Sequence, residues 1–451
     1  MQCTGDEQHM TTNYKKRRTI SPPALIALSF AITIMIGTLL LKLPIATHVS
    51  ISWTDAFFTA TSATTVTGLS VFDINTSLTL FGEIVLLLLI QIGGVGFMAF
   101  AVALLMILGR KIGMKNRIFI QESFSYQSIG GTIKFLREIL LFVFFAEGIA
   151  FIALSFFWVP EFGWKDGLYY SVFHVVSAFN NAGFSIFSDN LVSFAGNPPV
   201  ILILSSLFVI GGIGFIVVMD VWHKRSVRQW ALHTKMMIFG TLTLNAIATL
   251  FLLILEFHND KTIADLSFLD KVWTSYFQAV TPRTAGFNIM NVGDMEESSL
   301  LLTLLLMFIG GGSASTASGI KLTTFMVIIL ATLSYFRGIK EPHIFKRTIK
   351  AEIIVRSMAI AAVSSCVIFT ALFLLSITEK IPFLPVLFET ISAFGTVGLS
   401  MGVTDDFSSV GKVILCIVMF LGRIGPLTLF FLLIRTKKES YHFSYDQVQT
   451  G

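Results

Sequence analysis

Charged side chains are scarce in this chain of 451 residues, where Asp, Glu, Lys and Arg make up 13% of the sequence. An average soluble domain carries about 25% charged residues, so the scarcity argues against a soluble protein. Cysteine is scarce too: only Cys3, Cys366 and Cys416 are present, without a CxxC pair or a Cys/His cluster. The sequence therefore excludes a disulfide framework and gives no support to a structural zinc site.

Apolar residues take the place of the missing charge. They make up 54% of the chain, and the aromatic residues among them are mostly Phe, with 44 Phe against 8 Tyr and 6 Trp. The mean hydropathy is +0.79. Such a chain is too apolar to be disordered throughout, and its composition indicates a polytopic membrane protein.

Eight apolar runs approach the ~20 residues that a helix needs to cross a bilayer. The first extends from Ala24 to about Pro44, and it is too long for the core of a signal peptide. The others lie near 79–108, 135–158, 200–222, 234–257, 300–336, 352–377 and 410–435. Four semi-polar segments lie between alternate runs, near 53–70, 167–185, 270–287 and 383–400. They are too short to cross the membrane and too apolar for solvated loops, so we expect re-entrant pore segments.

Lys and Arg cluster on one side of this eight-span arrangement, at 15–18, 110–137, 224–235, 337–356 and 435–438. The positive-inside rule then predicts a multi-pass membrane protein with both termini in the cytoplasm. Topology alone accounts for the clusters, and docking of a cytoplasmic regulator or of anionic lipid is the alternative. The outward connections are acidic, which either concentrates cations there or merely solvates the loops.

The four semi-polar segments repeat one pattern. Each has an aromatic-rich stretch, expected to form a short helix, and then small and polar residues around one Gly followed by Leu or Phe. The aligned glycines are Gly68, Gly183, Gly286 and Gly398. A second glycine cluster follows in the next span, and the four clusters read IQIGGVGF, IGGIGF, IGGGSASTASG and LGRIGP. The pattern predicts an all-α polytopic membrane protein with four tandem helix–pore loop–helix repeats around a pseudo-fourfold pore, containing eight spans and four re-entrant pore helices.

This repeat divides the chain into six predicted segments. They are a cytoplasmic N-terminal tail at 1–19, repeat 1 at 20–109, repeat 2 with its cytoplasmic connection at 110–222, repeat 3 with an intramembrane gate loop (310–319) at 223–336, repeat 4 at 337–436 and a cytoplasmic C-terminal tail at 437–451.

Four such units suit a single axial pore for a monovalent cation. A short helix that enters from outside ends near the membrane centre, where its C-terminal end carries about half a negative elementary charge. The extended backbone that follows can present carbonyl oxygens that replace the water shell of an ion. Gly is needed there because it permits a positive φ and keeps side chains off the axis.

The residues around these glycines resemble a known family. TTVTGLS (64–70) and FGTVGLS (394–400) resemble degraded copies of the TVGYG filter of potassium channels. Four non-identical copies in one chain, over about residues 20–436, resemble the Trk/Ktr/HKT superfamily of cation transporters, and eight spans resemble its Ktr type. The resemblance implies potassium uptake by a homodimer in which each protomer has its own pore. It also implies a cytoplasmic ring of RCK subunits of the KtrA or KtrC type that carries the nucleotide, since no cofactor is expected on this chain.

The filter strands are predicted at 65–69, 180–184, 283–287 and 395–399, with backbone carbonyls as the ligands of K+. The filter residues are Thr65, Val66, Thr67, Gly68, Asn180, Asn181, Ala182, Gly183, Arg283, Thr284, Ala285, Gly286, Gly395, Thr396, Val397 and Gly398. The resemblance implies that Gly at all four aligned positions favours potassium, whereas Ser at the first accompanies sodium transport in plant relatives. The alternative for any single Gly is close helix packing, which we also expect for the second glycine clusters of repeats 1 and 2.

The third glycine cluster predicts an unwound loop in the membrane. Its residues are Gly310, Gly311, Gly312, Ser313, Ala314, Ser315, Thr316, Ala317, Ser318 and Gly319. Such a loop is tolerated only beside water or protein, and the resemblance implies a gate below the filter. A tightly packed small-residue helix is the alternative. A phosphate-binding P-loop is a poor match because the GxxxxGK[ST] spacing is absent.

Several charged or titratable residues lie at membrane depth. Arg423 in the last span is expected to hydrogen-bond carbonyls of the gate loop, as the resemblance implies, or else to tie an ordinary backbone carbonyl. Arg283 either buttresses the third filter strand, with Glu389 as a possible partner, or snorkels outward. His174 is expected to be a packed residue with satisfied hydrogen bonds rather than a ligand.

An enzyme is the first alternative from another functional class. The intramembrane acids Glu147, Asp220, Glu256 and Glu389 form no catalytic pair in sequence, so no enzymatic activity is expected. Nothing in the sequence indicates nucleic-acid binding. Sodium conduction, sodium–potassium symport and an ungated cation channel stay open as alternatives to gated potassium uptake.

Overall fold

The computed structural model describes residues 22–96, 132–313 and 315–425. The predictions for the two cytoplasmic tails, for most of the 110–137 connection and for Ala314 lie outside these residues. The described part is mostly helical, with one short β-hairpin on the connection between the third and fourth units.

The helices follow one another in the order that the sequence predicts. They are α1 (Pro22–Leu41), α2 (Trp53–Thr65), α3 (Ile74–Ser77), α4 (Leu80–Val95), α5 (Thr132–Phe179), α6 (Pro198–Ile213), α7 (Phe215–His223), α8 (Leu232–Glu256), α9 (Phe268–Val280), α10 (Glu297–Phe308), α11 (Leu322–Phe336), α12 (Ala351–Thr378), α13 (Phe383–Gly395) and α14 (Ser409–Ile424). The hairpin strands are β1 (His343–Ile344) and β2 (Arg347–Thr348), which pair antiparallel.

Short helices occupy the four semi-polar segments. Helices α2, α9 and α13 each contain 13 residues, and the second short helix is the end of α5, set off by a kink at Gly163 with φ of 84°. Ser52 and Ser267 cap α2 and α9, accepting from the backbone N–H of Asp55 and Asp270. This Ser-x-x-Asp spacing satisfies free N–H groups of the first turn and explains where these two helices begin.

Some of the apolar runs form long helices and others form broken ones. Within the described ranges, four helices are long and apolar enough to span a bilayer: Ala24–Leu41, Lys134–Phe179, Leu232–Glu256 and Ala351–Thr378. The run at 200–222, expected to be a span, is bent, because α6 and α7 meet at 94°. Gly214 lies at this bend with φ of 108°, a conformation that other residues rarely adopt.

The other three inner helices end at similar points of the sequence. Helix α4 ends at Gly96 and α14 ends at Gly425, with φ of 92° and 91° respectively, so these glycines repeat the conformation of Gly214. In the third unit, α10 and α11 are separated by residues 309–321, as the gate-loop prediction requires. All four inner helices therefore end at their glycine clusters.

The units pack in a closed ring. Each inner helix contacts the short helix of the following unit: α4 contacts α5, α6 contacts α9, α10 contacts α13, and α14 returns to contact α2. The short helices are buried in this ring, whereas α1, α5, α8 and α12 expose large apolar side chains such as Met35, Phe156 and Phe369. The short helices therefore end together at one axis, and the outer helices face lipid.

Candidate functional site

The backbone after each short helix adopts the same conformation in all four units. A left-handed residue follows the helix, and a glycine with positive φ follows two residues later. The left-handed residues are Val66, Asn181, Thr284 and Thr396, with φ of 58°, 59°, 77° and 46°. The glycines are Gly68, Gly183, Gly286 and Gly398, with φ of 95°, 68°, 77° and 92°. Positive φ at four non-Gly residues is uncommon, and its repetition is typical of a specialised backbone site.

The four glycines form a ring in chain order. A Cβ atom added to Gly68 would lie 2.4 Å from the carbonyl oxygen of Ala182, and one on Gly183 would lie 2.7 Å from the Cα of Gly286. One on Gly286 would lie 2.2 Å from the oxygen of Val397. One on Gly398 would lie 2.2 Å from the oxygen of Thr67, which closes the ring. Only glycine fits at these positions, since each backbone lies against the next strand.

Buried hydroxyl groups hold the strands from behind. The N–H groups of Gly68 and Gly398 donate to the Oγ atoms of Ser62 and Ser392, each at 3.1 Å. In the second and third units the side-chain hydroxyl is instead the donor and a backbone oxygen is the acceptor. There Ser177 Oγ donates to the oxygen of Phe184 at 2.7 Å, and Thr281 Oγ1 donates to the oxygen of Phe287 at 2.5 Å.

The carbonyl oxygens immediately before the ring glycines have no such partner. Among the described residues, no hydrogen bond is donated to the carbonyl oxygens of Thr67, Ala182, Ala285 or Val397. Buried carbonyl groups nearly always find a partner, so four unpaired ones in one ring indicate a site that a ligand completes. The Thr396 hydroxyl is also buried without a partner, while the Thr65 and Thr67 hydroxyls pair with each other at 2.7 Å.

The glycine-rich segment of the third unit forms a loop with a clamped neck. Gly310 N donates to the oxygen of Ile320 at 2.9 Å, and Leu322 N donates to the oxygen of Gly311 at 3.1 Å. Gly319 lies in the loop with φ of 68°. The packed small-residue helix, which was the alternative, does not occur in the residues of this segment that the structure describes.

The loop contacts the second and fourth units. Gly312 N donates to the oxygen of Gly212 at 2.7 Å, and Thr316 N donates to that of Gly211 at 3.3 Å. Thr316 Oγ1 also donates to Asn181 Oδ1 at 3.1 Å, which joins the loop to the second strand of the ring. A Cβ added to Gly319 would lie 3.5 Å from the Cα of Gly395 in the fourth unit. A segment that contacts these opposite units lies close to the common axis.

Other loop residues are fixed by short-range contacts. Ser315 Oγ donates to the oxygen of Gly312 at 2.8 Å and accepts from Ala317 N at 3.1 Å. Ala317 and Ser318 are buried, whereas Ser313 is half-buried. Lys321, which sequence reasoning did not assign to the site, donates to the oxygen of Ala317 at 2.8 Å. The sequence feature from which this contact could have been predicted is a lysine that follows a glycine-rich run in mid-span.

Arg423 joins the loop to the first unit. Its guanidinium donates to the oxygen of Thr316 and lies 3.3 Å from Ser318 Oγ. It also donates to the oxygens of Gly93 and Gly94, at 3.2 Å in the second case, where α4 ends. The expected contact with loop carbonyls is therefore present, and the contact with the first unit was not foreseen.

The other charged groups are distributed differently from the sequence interpretation. Arg283 does not pair with Glu389 and does not snorkel outward: it is buried and donates to Asn245 Oδ1 at 2.9 Å and to Thr241 Oγ1 at 3.1 Å. Glu389 instead accepts from Ser400 Oγ at 2.5 Å and from Met401 N at 3.2 Å. Ser400 and Met401 follow the end of the fourth strand, so the hypothesis that Glu389 pairs with Arg283 is wrong.

Two polar contacts between units were missed because they join distant parts of the sequence. Lys412 of α14 forms an ion pair with Asp55 of α2 at 2.9 Å, between the fourth and first units. Asn180 Nδ2 donates to Gln91 Oε1 at 2.6 Å, between the second and first units, and Gln91 in turn donates to Glu147.

His174 is packed, with Nδ1 against the oxygen of Tyr170 and Nε2 against Ser185 Oγ, both at 2.9 Å.

The second glycine clusters of the first two units lie against the ends of the short helices. A Cβ added to Gly93 would lie 2.0 Å from the oxygen of Thr64, and one on Gly211 would lie 2.0 Å from that of Phe179. Gly94 lies against the side chain of Asn180 in the following unit. Close packing therefore requires glycine at these positions, in agreement with the sequence interpretation.

Comparison with known proteins agrees with this architecture. The family described as TrkH, cation transport protein, matches residues 6–443. The chain is 52% identical to Ktr system potassium uptake protein B of Bacillus subtilis, over 96% of this chain and 97% of that protein. It is 41% identical to the protein of the same name from Vibrio alginolyticus, over 95% of each, and 36% identical to the potassium/sodium uptake protein NtpJ of Enterococcus hirae, over 96% and 97%.

A solved structure has the same fold. The crystal structure of the potassium transporter TrkH from Vibrio parahaemolyticus matches with a TM-score of 0.71 and 22% identity, over 93% of this chain and 86% of that one. The resemblance noted from the filter-like motifs is thus confirmed, and the chain belongs to the TrkH family of cation transport proteins.

Proposed function

We propose that this protein is the pore-forming membrane subunit of a potassium uptake system. The observation that carries the proposal is the ring of four glycines with unpaired carbonyl oxygens before them. Oxygen rings of this kind replace the water shell of K+. The names of the relatives support the same ion, since the Bacillus subtilis and Vibrio alginolyticus proteins are potassium uptake proteins.

The proposed pore has eight spans in four repeats, at 20–109, 110–222, 223–336 and 337–436. Each repeat contributes one filter strand, and the negative C-terminal ends of the four short helices add to the attraction for a cation. The interrupted inner helices are compatible with this count, because a broken helix at membrane depth is tolerated where it borders protein or a water-filled cavity.

The loop at 310–319 is proposed to gate this pore, together with Arg423. The loop contacts the second strand of the ring through Asn181, and Arg423 holds its carbonyls while placing a positive charge nearby. A cation that leaves the ring along the axis would meet this loop. Movement of the loop away from the axis would therefore open the path.

We further propose a homodimer in the cell membrane, with both termini in the cytoplasm and a cytoplasmic RCK ring of the KtrA or KtrC type that binds the regulatory nucleotide. The Ktr system names of the relatives support a separate regulatory component. The chain itself is proposed to carry out transport without an enzymatic step.

Reconstitution in lipid vesicles tests the ion and the driving force. Purified protein is assayed with a potassium gradient and with a sodium gradient, each imposed alone. Potassium movement without sodium is the expected result and would exclude obligatory coupling. Movement of sodium at an equal or higher rate would favour the alternative that the name of the Enterococcus hirae relative suggests, a carrier of both ions.

A further inference from the structure

Arg283 is a buried cation that has no anionic partner within 22–96, 132–313 and 315–425. Its residue is 8% exposed, and its guanidinium bonds only to the neutral groups of Asn245 and Thr241. Its Nε has no hydrogen-bond partner among the described residues, and none of the ion pairs found there includes it. Burial of an unpaired charge is costly, so a role that depends on the charge is to be sought.

Its position breaks the fourfold pattern of the ring. Arg283 lies three residues before Gly286, just beyond the end of the short helix α9. The equivalent residues of the other units are Thr65, Asn180 and Gly395, all uncharged. The C-terminal end of a helix carries partial negative charge, and a cation near it cancels part of that charge. One of the four helix ends is therefore opposed by a full positive charge.

A small cavity adjoins this charge, with a volume of about 10 Å³ that holds about one water molecule. Its lining, besides Arg283 and Thr241, consists of apolar and glycine residues: Phe208, Val209, Gly212, Ile213, Val280 and Gly311. No titratable side chain other than Arg283 lines this cavity. The charge consequently acts on the nearby ring through a medium of low polarity.

We propose that Arg283 lowers the affinity of the ring for its cation and so speeds release of the ion. The inference rests on the proposed function of the ring as a cation filter. The guanidinium of Arg283 is held against α8 by Asn245 and Thr241 rather than in the ring, so it acts through the potential at one strand. A conducting pore must bind its ion weakly enough to let it leave, and one positive charge beside four partial negative ones serves that end. Three residues of chain separate Arg283 from Gly286, a span of at most about 10 Å. At that separation and an effective dielectric constant near 20, a unit charge changes the affinity on the order of tenfold.

Calorimetric titration of the full-length protein in detergent with KCl tests this inference. Arg283→Gln is expected to lower the dissociation constant for K+ on the order of tenfold, whereas Asn245→Ala is expected to keep it within about twofold of the original protein. Asn245→Ala is the matched control, because it removes a hydrogen bond of Arg283 and leaves the charge. The same dissociation constant in Asn245→Ala and Arg283→Gln would overturn the inference in favour of a hydrogen-bonding role.

Asn245→Asp provides an independent readout, because it places a carboxylate beside the guanidinium, where Asn245 Oδ1 lies 2.9 Å from Arg283. A charge paired in this way acts less strongly on the ring, so the dissociation constant for K+ is expected to fall towards that of Arg283→Gln. An unchanged dissociation constant in Asn245→Asp would overturn the inference even if Arg283→Gln failed to fold. Original protein that neither binds nor transports K+ would instead overturn the proposed function.

Discussion

Replacement of Gly68 by Ser tests the glycine ring most directly. A Cβ at this position would lie 2.4 Å from the carbonyl oxygen of Ala182, about 1 Å closer than an ordinary contact allows. Gly68 also has φ of 95°, which costs a residue with a side chain on the order of 1–2 kcal/mol. Both effects push the carbonyl of Ala182 out of the ring, because the backbone of Gly68 is itself held by Ser62.

A displaced carbonyl loses its ability to favour one ion size over another. If the ring loses about 1.4 kcal/mol of its preference for K+, the ratio of K+ to Na+ uptake falls about tenfold. The assay is uptake of each ion into proteoliposomes from the same preparation, and the ratio rather than the absolute rate is compared.

Gly402→Ser provides the matched control. Gly402 also has a positive φ, of 81°, but a Cβ there would meet nothing within 4 Å. Backbone strain alone would act in both variants, whereas displacement of the ring occurs only in Gly68→Ser. An unchanged ratio in Gly68→Ser, or an equal fall in both variants, would refute the reasoning.

Three further predictions concern the contacts around the ring. Arg423→Ala removes hydrogen bonds to the oxygens of Thr316, Gly93 and Gly94. The potassium flux into vesicles without any soluble partner should therefore rise, and an unchanged flux would contradict the proposed gate role. Ser392→Ala leaves the N–H of Gly398 without its acceptor and should lower the free energy of unfolding by about 1–3 kcal/mol in a denaturation assay. Ser376→Ala is the control, because its exposed hydroxyl bonds only within α12, and it should change the free energy of unfolding little. Lys412→Met should lower the free energy of unfolding by no more than about 1 kcal/mol, since the ion pair with Asp55 is partly solvated. A double-mutant cycle with Asp55→Asn isolates the coupling energy of the pair. A coupling energy of zero would mean that the pair does not stabilise the closed ring.

The repeat and the four glycines could be predicted because they depend on local pattern. Aromatic residues followed by small polar ones and a glycine give a short helix and an extended strand, and this relation holds within some twenty residues of chain. The loop conformation of the third glycine cluster was predictable for the same reason, since consecutive glycines and serines destabilise a helix wherever they lie.

The broken inner helices and the contacts between units were not predictable in this way. The run at 200–222 is apolar throughout, and a single glycine such as Gly214 is usually tolerated inside a helix, so hydropathy alone favours a continuous span. Opposite charges are expected to meet in a membrane, which favours a pairing of Arg283 with Glu389. Their separation is a property of the fold, in which Arg283 donates to Asn245 and Glu389 accepts from Ser400.

The closed packing of four different units within one chain has a genetic consequence. In a pore assembled from four identical chains, one codon change alters every quadrant at once. Here each unit has its own codons, so a substitution can change one unit of the ring while the other three keep their sequence. A loop in the third unit, a guanidinium in the fourth and a cation behind the third strand are specialisations that a strictly fourfold assembly could not acquire singly.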